Sequence, residues 1–272
     1  METSKLRPAQ SGFSTYSGHR VYWEIFGPAD GPTAVLLHHG LGSTRSWRRQ
    51  IPAFVERGWR VLAYDRWGYG RSDLRPVFDH GFLHPEAKEC YHLLHDQGAE
   101  RACLVGHSDG GSIGILVAAA HPEMVERLVL VAAHIYVEAK MVPGLEVIER
   151  TAVSPAFLRS LQNEHGDRTR ELVHAWLQGW KRPENLDFDL REYLPRVQCP
   201  TLVIQGEQDE HATPQHARDI ASLVPKGKLW LIPGVHHMPT LEVPERFNEV
   251  VLDFLEPARE QLMEGGRPPQ PA

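Results

Sequence analysis

The chain alternates between short apolar runs and longer amphipathic stretches. Ala34–His38 (AVLLH), Arg60–Tyr64 (RVLAY), Ala102–Gly106 (ACLVG), Arg127–Ala132 (RLVLVA), Thr201–Gln205 (TLVIQ) and Lys228–Ile232 (KLWLI) are near-continuous apolar runs. Such runs mark strands buried on both faces. Val21–Phe26 reads as an earlier strand. Between the runs lie helical patterns over 46–57, 85–97, 110–120, 215–223 and about 242–255, the second closing on Gly98. Strand–helix–strand alternation predicts an α/β fold with a mostly parallel central sheet flanked by helices. The alternation breaks over 134–197, where Phe157, Leu158, Leu161, Leu172, Val173, Trp176, Leu177 and Trp180 recur at helical spacing. The βα pattern resumes after Cys199-Pro200, so this segment reads as a helical lid inserted into one sheet rather than a second domain. The core is therefore placed at 12–133 and 198–256, with 257–272 a flexible tail.

Composition narrows the class. A net charge of −6 and a pI near 6.2 leave no basic footprint for nucleic acid. No run approaches the ~18 apolar residues of a membrane span. The N-terminal METSKLRPAQ has no apolar signal core. Three scattered cysteines, Cys90, Cys103 and Cys199, make no disulfide framework. The expectation is a reduced, cytoplasmic protein. No metal or organic cofactor is implied.

One stretch carries chemistry. In LVGHSDGGSIG, Ser108 sits between an apolar strand and a small-residue helix, with glycine two positions before and two after. A tight strand-to-helix turn presents a serine hydroxyl, and the following helix aims its N-terminus at the same point, favouring negative charge there. A hydroxyl is a weak nucleophile and needs a base, which in turn needs an orienting acid. On such sheets the acid follows a late strand and the base the last one. GEQDEH after TLVIQ offers Glu207, Asp209 and Glu210, of which Asp209 lies just past the strand end. PGVHHMP after KLWLI offers His236 and His237.

Five segments, HHGLGS (38–43), YDRWGYGRSD (64–73), VGHSDGG (105–111), VIQGEQDEH (203–211) and PGVHHMPTLEVPERF (233–247), together resemble the α/β-hydrolase fold superfamily, serine hydrolases with a helical lid. The likeness runs from about residue 12 to 256. It implies a catalytic set of Ser108, Asp209 and His237, the last because similar proteins place the histidine two residues before proline. It also implies an oxyanion hole from the backbone N–H groups of Leu41 and Asp109. His236 replaces the usual glycine. His39 reads as a brace of its loop, and YDRWGYGRSD as a turn beside the site in which Asp65 and Arg66 pair. Aspartate after the nucleophile departs from the apolar residue common there and resembles valacyclovir-hydrolase-like members, which accept amino-acid esters. Asp109 then either receives a cationic or hydrogen-bonding group of the substrate or braces the turn. Trp176 and Trp180, four apart, either line a substrate pocket or pack the lid on the sheet, and Trp47 and Tyr69 carry the same two readings. The implied activity is hydrolysis of a small-molecule carboxylic ester through an acyl-enzyme. A serine nucleophile disfavours dehalogenase and epoxide hydrolase chemistry. Lactonase, thioesterase, C–C bond hydrolase and cofactor-free perhydrolase reactions fit the same residues, and a non-catalytic small-ligand receptor is the alternative of another class.

Overall fold

A computed structural model describes residues 6–264. Eight strands form one sheet: β1 (Gln10–Tyr16), β2 (His19–Phe26), β3 (Thr33–Leu37), β4 (Arg60–Asp65), β5 (Ala102–His107), β6 (Val125–Val131), β7 (Thr201–Gly206) and β8 (Gly227–Ile232). Their spatial order is β1-β2-β4-β3-β5-β6-β7-β8. β1 pairs antiparallel with β2 and β2 antiparallel with β4, while every later pair is parallel. From β3 the chain steps one way to β4 and the other way to β5, so strand order reverses at β3. In open α/β sheets the crevice beyond the strand carboxyl ends at such a reversal is where ligands bind. His39–Leu41 and Ser108 follow β3 and β5 directly.

Alternate residues of the central strands feed two cores. Val35, Leu37, Leu62 and Leu104 pack with Ile113, Leu116 and Val117 of α3 (Asp109–Ala120) and with α2 (Leu83–Asp96) and α7 (Pro214–Leu223). Ala34, Leu36, Val61, Ala63 and Val105 face the other way, onto Phe54 of α1 (Ile51–Glu56) and onto Phe247, Val251 and Leu255 of α9 (Pro244–Glu264). Both sheet faces are thus covered, as continuous apolar strands require.

The elements differ from the sequence reading in three places. β1 is an additional edge strand: QSGFSTY is polar and largely exposed, so it has no apolar run to mark it. The helix expected over 46–57 is split into a 3₁₀ turn at Thr44–Trp47 and α1. Pro52 lacks the N–H that would continue one helix through it. The last helical region likewise divides into α8 (Pro239–Glu242) and α9, with the break just before Pro244. α9 continues to Glu264 because Ala258–Glu264 contains only residues that favour helix. Of the tail expected over 257–272, residues 265–272 lie outside the described residues.

Between β6 and β7 the chain forms α4 (Met141–Ala152), α5 (Pro155–His165) and α6 (Thr169–Trp180). Ser154 caps α5 by accepting from the Phe157 N–H, with Pro155 in its first turn. Gly166, at φ 62°, ends it. Among the described residues no helix is long and apolar enough to cross a membrane.

Candidate active site

Backbone sterics build the turn at Ser108. Its φ of 53° and ψ of −119° put a non-glycine residue in a strained region, at a cost of order 1–3 kcal/mol. The surroundings hold it there. The Ser108 N–H donates to the Val131 carbonyl at 2.8 Å, and its carbonyl accepts from the Gly111 and Ser112 N–H groups at 2.8 and 3.1 Å. A Cβ on Gly106 would lie 2.3 Å from the Gly110 oxygen, and one on Gly110 would lie 2.1 Å from the Leu37 oxygen. The two glycines are therefore required by contact between strand and helix.

Asp209 and His237 meet at the carboxyl ends of β7 and β8. His237 Nδ1 lies 2.9 and 3.0 Å from the two Asp209 carboxylate oxygens. Asp209 also accepts from the His211 and Ala212 N–H groups and from Gln205 Nε2 at 2.8–3.1 Å. Burial alone raises the pKa of this carboxyl, but the His237 hydrogen bond and charge and the two backbone donors outweigh it, bringing it down to about 2. Glu210 instead accepts the His237 backbone N–H at 3.2 Å. His236 turns outward onto Glu242, which takes both its N–H and its Nδ1. Glu207 is exposed.

The loop after β3 is tied down carbonyl by carbonyl. Arg66 and His38 donate to the His39 oxygen, at 3.1 and 2.8 Å. His39 Nδ1 lies 2.6 Å from the Gly40 oxygen, and His165 Nε2 lies 2.8 Å from the Leu41 oxygen. The Gly70 N–H donates to His165 Nδ1 at 3.0 Å, so the proton of that imidazole is on Nε2. A trans peptide sets its N–H opposite the preceding carbonyl. Holding Gly40 O on one side aims the Leu41 N–H to the other. Leu41 has a φ of 60°, again unusual for a side-chain-bearing residue. The N–H groups of Leu41 and Asp109 have no acceptor among the described residues.

Asp109 is buried. Its Oδ2 lies 3.3 Å from Trp176 Nε1 and 3.5 Å from Arg66 Nη2. Arg66 also donates to Glu86 at 2.6 Å, and Glu86 accepts from Arg75 at 2.7 Å. Burial opposes the charge of Arg66, but Glu86, Tyr69 and Asp109 together raise its pKa above the ordinary guanidinium value. Asp65 does not pair with Arg66, contrary to the sequence expectation. It accepts the Thr44 and Arg71 N–H groups at 2.7 and 2.8 Å, while its neighbour points into the Asp109–Glu86 network.

A cavity of about 340 Å³ opens on these groups, at the lower end of small-ligand sites. Ser108, Asp109, Leu41 and His237 line it together with Met141, Leu145 and Ile148 of α4. Trp176 and Trp180 of α6 both line it and both pack into the core. Trp47 and Tyr69 are core residues and do not line it. Among the described residues, no group of three or more His, Cys, Asp or Glu is placed to hold a metal ion.

Sequence reasoning passed over His107, His165 and His134 here and gave Arg66 a different partner. His107 Nε2 donates to the His237 carbonyl at 2.8 Å, tying β5 to the loop of the histidine. Arg66 and His165 hold the loop after β3. His134, just past β6, lines the cavity. His134 and Arg66 follow the carboxyl ends of central strands, a position that itself points to the crevice.

The chain is 30% identical over 238 residues to the human "Serine hydrolase BPHL", covering 84% of this chain and 80% of the relative. It is 29% identical over 284 residues to the "Bifunctional esterase/perhydrolase DCH" of Acinetobacter calcoaceticus, covering 89% and 98%. A solved hydrolase structure from Pseudomonas aeruginosa PA01 superposes with a TM-score of 0.76 at 25% identity, covering 91% of this chain and 98% of that one. The family model described as "Alpha/beta hydrolase family" matches residues 35–250. With strand order, strand-to-helix turn and sequence likeness in agreement, the chain belongs to the alpha/beta hydrolase family.

Proposed function

We propose that this hydrolase cleaves a small carboxylic ester through an acyl-enzyme formed on Ser108. One observation carries the reading: a serine held at positive φ between β5 and α3 lines the same cavity as His237, whose Nδ1 is fixed by the buried Asp209 carboxylate.

Ser108 Oγ attacks the ester carbonyl as its proton passes to His237 Nε2. Asp209 holds the other nitrogen and balances the imidazolium. The carbonyl oxygen becomes an oxyanion, received by the N–H groups of Leu41 and Asp109. Preorganised donors of this kind act without rearranging at the moment of reaction. The oxyanion collapses, the C–O bond breaks, and the alcohol leaves with the proton from His237. Water then gives a proton to His237 and attacks the acyl-enzyme, releasing the carboxylic acid and restoring Ser108. The insertion over 134–197 serves as a lid, with α4 walling the entrance and Trp176 and Trp180 the floor.

The test is hydrolysis of p-nitrophenyl acetate, butyrate and octanoate by the wild type and Ser108→Ala. Turnover lost in the variant is expected. Turnover that survives it removes Ser108 as nucleophile, and a wild type inert on all three while binding small esters favours a receptor.

A further inference from the structure

His134 lines the cavity and carries an unspent hydrogen-bonding atom. Its Nε2 is buried and has no hydrogen-bond partner among the described residues. The ring is held edge-on by Trp180 and tilted against Phe188, with centroids 5.1 and 5.6 Å away. Its backbone is fixed too, since Ser112 Oγ donates to the His134 carbonyl at 2.6 Å. A buried polar atom left unpaired costs free energy comparable to a lost hydrogen bond. A ring locked in this way is therefore a candidate for a partner that arrives from the cavity.

Asp109 Oδ1 lies 3.8 Å from Nε2. That gap is too long for a hydrogen bond. It is too short for a water in line between the two atoms, and because Nε2 has almost no exposed surface, an oxygen set to the side reaches both only with a small turn of the imidazole. Oδ1 accepts from no donor among the described residues, because Trp176 and Arg66 approach the other oxygen. Burial pushes the His134 imidazole down to about 4, so it is neutral under ordinary conditions and carries one N–H. The facing carboxylate favours that proton on Nε2. The pair thus offers one donor and one acceptor to a single atom.

The charge around the pair is already balanced. Arg66 and Arg75 face Glu86 and Asp109, two charges of each sign in one buried cluster. An ammonium group entering beside Asp109 leaves that cluster with a net positive charge out of water, which is costly. A hydroxyl adds no charge and supplies the complement, donating to Asp109 Oδ1 while accepting from His134 Nε2–H. Asp109 is the chain neighbour of Ser108, so a hydroxyl that reaches it lies close to the attacked carbonyl. Resting on the reading of Ser108 as nucleophile, we propose that His134 and Asp109 form a specificity site for a 2-hydroxy acyl group, selecting a neutral hydroxyl over an ammonium or a hydrogen at that carbon.

Ethyl propanoate, ethyl 2-hydroxypropanoate and ethyl 2-aminopropanoate separate the three cases, assayed by acid release at about pH 6.5, where an α-amino group is charged. The hydroxy ester is expected to exceed the unsubstituted ester in kcat/KM by about tenfold to hundredfold, the effect of one hydrogen bond to a charged group. His134→Phe keeps an aromatic ring against Trp180 and Phe188 and brings that ratio towards one. His134→Gln carries an N–H to the same place and retains most of it. Equal rates on the hydroxy and unsubstituted esters, a ratio unchanged in His134→Phe, or preference for the amino ester overturns the proposal. Binding of 2-hydroxypropanamide and propanamide to the Ser108→Ala protein reads recognition without chemistry. Equal affinities there overturn the specificity site whatever the esters do. Ester turnover that persists in Ser108→Ala overturns the nucleophile instead.

Discussion

Replacing Asp209 by asparagine tests the site at its most constrained point. Four donors converge on this carboxylate: His237 Nδ1, Gln205 Nε2 and two backbone N–H groups. An asparagine side chain has one oxygen to share among them. If that oxygen keeps the His211 and Ala212 N–H groups, its NH₂ faces His237 Nδ1, which must then give up its proton and accept. The proton moves to Nε2, the atom that receives the Ser108 proton in the proposed mechanism, and the proposed base is disabled with its position unchanged. Loss of kcat by about 10⁴ is expected, as for other triads trapped in the wrong tautomer. The same carboxylate also contributes to folding. A shift from 3.8 to about 2 corresponds to roughly 2 kcal/mol at about 1.4 kcal/mol per unit. A lowered carboxyl pKa stabilises the fold above the unfolded value near 4. That contribution is lost as pH falls through the folded value near 2, and Asp209→Asn lacks this part of the acid limb. Initial rates on p-nitrophenyl acetate at neutral pH, with urea midpoints at pH 7 and along the acid limb, measure both effects. The control is Glu210→Gln, because Glu210 reaches the His237 backbone N–H and not its ring. A kcat within tenfold of wild type in Asp209→Asn, or a loss in Glu210→Gln as large as that expected for Asp209→Asn, refutes the assignment.

Three further outcomes follow from the geometry. His39→Phe releases the Gly40 carbonyl, so the Leu41 N–H loses its aim; kcat should fall by up to about 10² with KM little changed, as read from saturation curves. Gly110→Ala drives a methyl group to 2.1 Å from the Leu37 oxygen; the urea midpoint should fall by an amount equivalent to about 1–3 kcal/mol or more, and an unchanged midpoint counts against the tight elbow. Glu89 is buried against His19, and burial followed by the charge of Glu86 raises its pKa to about 8. A raised carboxyl pKa gives stability that is full below the unfolded value near 4 and lost as pH rises through 8, so Glu89→Gln should raise Tm relative to wild type more at pH 9 than at pH 5, by scanning calorimetry.

The fold was legible wherever burial imposed a local pattern. Strands covered on both faces must be apolar throughout, and β3 to β7 are found by that property; β8, an edge strand with Lys228 and Leu229 exposed, is found by the run KLWLI alone. β1 satisfies its backbone through β2 with an exposed, polar sequence, so periodicity has nothing to detect. That Ser108, Asp209 and His237 lie together at the carboxyl ends of the strands was legible for a related reason. Each follows a strand of the sheet, and the Gly106–Gly110 spacing is a steric necessity visible in one dimension. The network around them was not. His165 meets Leu41 from 124 positions away and Arg66 meets Asp109 from 43, each as one polar residue among many on loops and helix ends. No window of sequence records that the Leu41 carbonyl needs a donor, because the need arises only once the loop after β3 has turned. Asp109 shows the consequence. From sequence it is a negative charge beside a developing negative charge, which calls for a cation from the substrate or a brace from the protein. The brace is Arg66, supplied by β4's end, and it is itself shared with Glu86. With the cluster already neutral, the role proposed for Asp109 towards the cavity is a hydrogen bond and not a counter-charge; Arg66 stands in YDRWGYGRSD, but nothing in that segment shows that its guanidinium turns to Glu86 and Asp109 rather than to Asp65.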